Sequence, residues 1–166
     1  MDWNTHTRQM RVATFVVLIF VSSQLGFAQE EHKSEQVSCN SVANVAVPKY
    51  RIGQNLGGTT TSDTFILLVS VKPSEISREK MMALACKLGS VYGDFDAFIL
   101  QVFDEHMAAV LYTVGGVDMP YPQANLRIRA TYDVDKPTGS SWFKWFPEGG
   151  DWVRAENIRL IPSVTK

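Results

Sequence analysis

Two stretches of this chain are apolar at nearly every position: "TFILLVSV", Thr64 to Val71, and "AFILQVF", Ala97 to Phe103. Side chains alternate faces along a strand, so an unbroken apolar run predicts a strand buried on both sides. Pro73 stops the first run. The segment between them, "ISREKMMALACKLGSVY", changes period. Met81, Leu84, Ala85, Leu88 and Tyr92 fall on one stripe at 3.6-residue spacing, which predicts a helix over 77–92. Ser77 is placed to cap its start, Ile76 and Met81 are spaced as a hydrophobic staple, and Gly93 ends it. Strand, helix and strand predict a β-α-β unit, strands 64–71 and 97–103 lying parallel across a right-handed crossover.

The second half reads differently. "NLRIRATY", Asn125 to Tyr132, alternates, with Leu126, Ile128, Ala130 and Tyr132 on one side and Arg127, Arg129 and Thr131 on the other. That is the pattern of a half-exposed antiparallel strand. The turn-forming "DVDKPTGS" follows, then a second strand in "SWFKWF", ended by Pro147 and "EGG". The tail "DWVRAENIRLIP" predicts a further short strand or turn. Residues 53–62, "GQNLGGTTTS", read as a Gly/Thr-rich loop between strands. They lack the Gly-Lys-Ser/Thr ending of a phosphate loop. Residues 29–48 read as a flexible lead. The expected fold is therefore one small α+β or α/β domain over 49–166, with a mixed sheet of four to five strands, the β-α-β unit and an antiparallel C-terminal strand pair.

The amino-terminal pattern adds an address. Arg8 and Arg11 precede a largely apolar run from Val12 to Phe20, followed by a polar and small segment ending at Ala28. This is the layout of a secretory signal peptide over 1–28, with Met1 or Met10 as its start. The run is far short of the roughly 20 residues of a spanning helix, so no stable membrane anchor is expected after cleavage. The expected location is secreted or periplasmic. Residues 29–166 keep 14 basic and 16 acidic residues, and this balance argues against nucleic acid as a partner.

Cys39 and Cys86 are the two cysteines. In an exported chain they predict one disulfide. On the helical wheel Cys86 points roughly 150° from the centre of the apolar stripe, which makes sense if the segment around Cys39 folds back over that face. Without a CxxC motif, the cysteines and histidines make no recognisable metal site, and no cofactor is expected.

Candidate chemistry gathers at strand ends. Ligands in open α/β sheets bind beyond the carboxyl ends of parallel strands, where the sequence places Lys72 after one strand and Asp104, Glu105 and His106 after the other. A carboxylate beside a histidine can do acid–base work. Asp104 is equally suited to cap a short helix through "EHMAAVLY". Asp94 and Asp96, a possible acid–base pair, sit at the amino end of their strand, which favours a solvated turn. The aromatic stretch "SSWFKWFPEGGDW" supplies Trp142, Trp145 and Trp152, with Arg127 and Arg129 as a rim, for a protein, peptide or glycan partner at the cell envelope. The chain lacks the GxSxG and HExxH motifs. The functional expectation is thus a non-enzymatic binding or interaction module. The alternatives are a hydrolase-type enzyme using Asp104 and His106, or a structural accessory protein of the envelope.

Overall fold

The two apolar runs lie side by side as interior strands of one mixed sheet. A computed structural model of the protein describes residues 34–57, 63–112, 123–150 and 152–162; the expected signal segment falls outside them. Seven strands are described: β1 (Glu35–Ser38), β2 (Tyr50–Leu56), β3 (Thr64–Val71), β4 (Ala97–Phe103), β5 (Ile128–Asp135), β6 (Ser140–Trp145) and β7 (Glu156–Ile161). They are ordered β1-β7-β6-β5-β4-β3-β2. β3 and β4 pair in parallel, from Thr64 opposite Ala97 to Ser70 opposite Phe103. The helix α1 (Arg78–Val91) lies between them in the chain. β5 is antiparallel to β4 and to β6, β6 is antiparallel to β7, and β1 is parallel to β7.

The sheet therefore has seven strands where the sequence predicts four or five, and the two edges account for the difference. Glu35–Ser38, expected within a lead, is held by its backbone ladder to β7, and Val37 packs on the core. Arg78 at the start of α1 pairs with Glu35 of β1 and with Glu156 of β7, the latter at 3.1 Å. At the other edge, Gly53 to Leu56 belong to β2 rather than to a loop. The register shifts between Ile52 and Gln54. A Cβ on Gly53 would come within 2.6 Å of Ala109 in the second helix, α2 (His106–Leu111). This glycine lets a helix approach the strand; it does not mark a turn. Residues 58–62 of the expected loop lie outside the described residues. At the start of β5, Asn125 to Arg127 form a 3-10 turn instead of strand, and Leu126 is exposed.

Two apolar cores flank the sheet. One packs α1, through Met81, Leu84, Ala85 and Leu88, against Leu67, Val69, Leu100, Tyr132 and Phe143. The Ser77 hydroxyl accepts from the Lys80 N–H at 3.3 Å, capping the helix as the sequence predicts. The other core, smaller, sets α2 against Leu68, Phe103, Ile128 and Phe146. α2 is fixed to the edge strand by Gln54, whose side-chain amide donates to the carbonyl oxygens of Val110 and Tyr112.

The Cys39–Cys86 disulfide is present, its Cα atoms 5.6 Å apart. It anchors the 3-10 turn Cys39–Val42 over α1, burying Met82 on the side away from the predicted stripe. That turn explains why Met82 and Ala83 are core residues although the wheel leaves them out.

Candidate binding site

At the carboxyl ends of β3 and β4 the expected trio separates. Asp104, with 4% of its side chain exposed, receives two guanidinium groups from the start of β5. Arg129 donates from Nε to Oδ2 at 2.7 Å. Arg127 Nε lies 2.8 Å from Oδ1 and 3.0 Å from Glu105. The Arg127–Asp104 contact has ionic distance without hydrogen-bond alignment, since both atoms lack a directed partner. Asp104 is therefore a buried counter-ion. Glu105 takes the N-cap position of α2, and makes no side-chain cap bond. Both oxygens of Asp104 face guanidinium groups and its side chain is nearly closed to solvent, so it presents no free carboxylate face to a substrate. The two arginines expected to rim an aromatic patch are thus paired with Asp104, and the cross-strand neighbours of Trp142 are Asp133 and Arg159.

His106 Nδ1 is 3.1 Å from the Ser70 hydroxyl. Sequence reasoning missed Ser70, the penultimate residue of β3, which has no motif around it. A Ser–His contact is half of an activated nucleophile. Here the serine is only 6% exposed, which leaves it no open face toward a substrate. Lys72 is exposed and opens a 3-10 turn at Pro73–Glu75, separate from this contact.

The C-terminal aromatics divide by strand parity. Phe143 and Trp145 face α1, and Trp145, 8% exposed, is a core residue. This corrects the expectation that it belongs to a binding surface. Trp142 points to the opposite face and is 37% exposed. It sits between Asp133 of β5 and Arg159 of β7 in cross-strand register. The side chain of Trp152 lies outside the described residues.

Asp133 beside Trp142 has a carboxyl pKa raised by burial, with the Lys144 charge opposing part of the rise. A carboxyl that holds its proton more firmly when folded contributes stability at low pH. That contribution is lost as pH rises from the ordinary value of 3.8 through the raised folded value. Asp133→Asn is thus expected to melt higher than the parent at pH 7, and the gain should vanish near pH 3. Thermal melts at the two pH values check this; an equal gain at both would show that ionisation is not the cause.

A recess lies elsewhere, between α1 and the sheet face it covers. It has a volume of about 660 Å³. Val42, Val45 and Val47 of the segment after Cys39 form one wall; Ala83 and Cys86 of α1 form another. Phe98, Tyr132 and Val134 of the sheet form the third wall, and Tyr92 and Phe95 from the turn after α1 close one end. Tyr92 and Phe95 stack on Phe65 at 4.4 and 4.7 Å, so that end is a rigid aromatic group. Gly89 faces Tyr132 closely enough that a Cβ would come within 2.8 Å of the ring. The Tyr132 hydroxyl accepts from Ser141, which fixes the ring, and burial raises its pKa. None of these positions forms a motif. They come together because the disulfide folds residues 39–47 over α1.

Among the described residues no cluster of His, Cys, Asp and Glu could hold a metal ion, and no helix is long and apolar enough to cross a membrane. The fold and the recess together define a disulfide-tied α+β domain with a half-open recess beside its helix, lined by apolar and some polar side chains. Comparison with family models, curated proteins and solved structures finds no match to this chain.

Proposed function

We propose that this protein is an exported, non-enzymatic binding module that takes a small apolar ligand into the cavity between α1 and the sheet. The observation that carries the reading is the cavity itself. Its volume of about 660 Å³ falls in the range of roughly 300–1,000 Å³ common to small-molecule sites. Its walls are aliphatic and aromatic with a few polar groups, the composition of such sites. The disulfide supports export, since bonds of this kind persist in oxidising compartments. The commitment of Asp104 to two arginines and the burial of Ser70 argue against hydrolysis.

The neutral fluorophore N-phenyl-1-naphthylamine tests this reading. The mature protein should bind it saturably at one site. Val45→Trp, which fills the space from the wall formed by residues 42–47, should abolish the signal while the melting temperature stays near the parent's. Failure to bind, or binding undiminished in the filled variant, overturns the cavity reading. A second reading, a glycan or peptide partner at the cell envelope, is favoured by the exposed Trp142 ring next to Arg159. In that case Trp142→Ala removes partner capture and leaves fluorophore binding intact.

A further inference from the structure

The charges around the cavity bear on what it would hold. Two lysines line it: Lys87 on the helix wall and Lys136 just past β5 on the sheet side. Both are exposed, and neither forms an ion pair among the described residues. This contrasts with Arg78, Lys80, Arg127, Arg129 and Arg154, all of which are paired with carboxylates. The one carboxylate among the described lining residues is Asp94, so the lining carries a net charge of +1. Backbone geometry fixes the position of Lys136: its N–H donates to the Asp96 carbonyl oxygen at 2.9 Å. Lys87 is fixed by its place on α1, one residue after the disulfide.

From this we infer that the ligand is a single-chain amphiphile bearing one carboxylate, of the fatty-acid class, with its chain in the cavity and its head between Lys87 and Lys136. The inference rests on the cavity reading above and adds the sign of the head group. A volume of about 660 Å³ has room for roughly twenty water-sized groups at ~30 Å³ each, which suits a chain of roughly ten to sixteen carbons. The long stems of the two lysines can lie along apolar surface while their ammonium groups stay in water. The head group is then met at the solvent boundary, where no charge has to be fully desolvated.

Calorimetric titration of the mature protein with decanoate, decanol and decyltrimethylammonium, each below its micelle concentration, separates the parts of the inference. Decanoate should bind tightest and decyltrimethylammonium weakest. Octanoate should bind more than tenfold more weakly than decanoate, at about fourfold per methylene. The double variant Lys87→Gln with Lys136→Gln should weaken decanoate roughly five- to tenfold, leave decanol unchanged and melt like the parent. Equal affinity for all three head groups, or a double variant that still prefers decanoate, overturns the carboxylate assignment and leaves the cavity reading standing. No binding by any of the three overturns both.

Discussion

Replacing Cys39 and Cys86 by Ala together is expected to destabilise the domain by about 4 kcal/mol in the chain-entropy picture, for a closed loop whose ends are 47 residues apart. For a domain of this size that lowers the melting temperature by on the order of 10–20 °C. Dithiothreitol should reproduce the shift in the unmodified protein. The bond is the covalent tie between the amino-terminal segment and α1. The segment is also held by packing of Val37, Val42, Val45 and Val47 on the core, by the short parallel ladder of β1 on β7 and by the Arg78 ion pairs with Glu35 and Glu156. Both glutamates are about half exposed at their side chains, so solvent screens these pairs and they add little. Loss of the disulfide should also loosen the wall formed by Val42, Val45 and Val47, and weaken fluorophore binding more than the melting shift alone implies. A melt that does not change with reductant would show that the segment is held by packing and that the bond is incidental.

That same bond marks the limit of what could be read from sequence. β3, β4 and α1 were legible because doubly apolar strands and a 3.6-residue stripe each admit one simple solution. The position of Cys86 off the stripe pointed to a partner segment, and the Cys39 turn lies there. β1 was not legible, because an edge strand is held by backbone hydrogen bonds that leave no side-chain pattern, and "EQVS" offers only Val37 to the core. β2 was hidden by Gly53, whose usual meaning as a turn residue is displaced here by close contact with Ala109. Asp104 looked like a helix cap because its partners, Arg127 and Arg129, are some two dozen residues away and converge on it only through the pairing of β4 with β5. The cavity was invisible for a related reason. Its walls come from four separate segments, and each wall residue has an ordinary local reading as core or turn.

Trp145→Ala is expected to destabilise the domain by about 3–5 kcal/mol, the range for deleting a large buried aromatic side chain, whereas Trp142→Ala should change stability by no more than about 1 kcal/mol. The two residues are three apart in one strand and chemically identical, so the contrast isolates strand parity. Trp145 is 8% exposed and belongs to the core that packs beneath α1, with Phe143 two residues earlier on the same face. Its partner across the ladder is Ala130, and the small side chain leaves room for the indole to lie over β5. Removing the ring leaves a hole that backbone hydrogen bonds on both sides, to β5 and β7, prevent from collapsing. Trp142 faces the other way, between Asp133 and Arg159, and keeps 37% of its surface in water. Its truncation loses cross-strand contact and little burial. Chemical denaturation of the two variants under the same conditions decides the matter. Comparable losses from both would mean that the face carrying Trp142 is covered as fully as the one carrying Trp145, and the case for a partner surface around Trp142 and Arg159 would then fall with it.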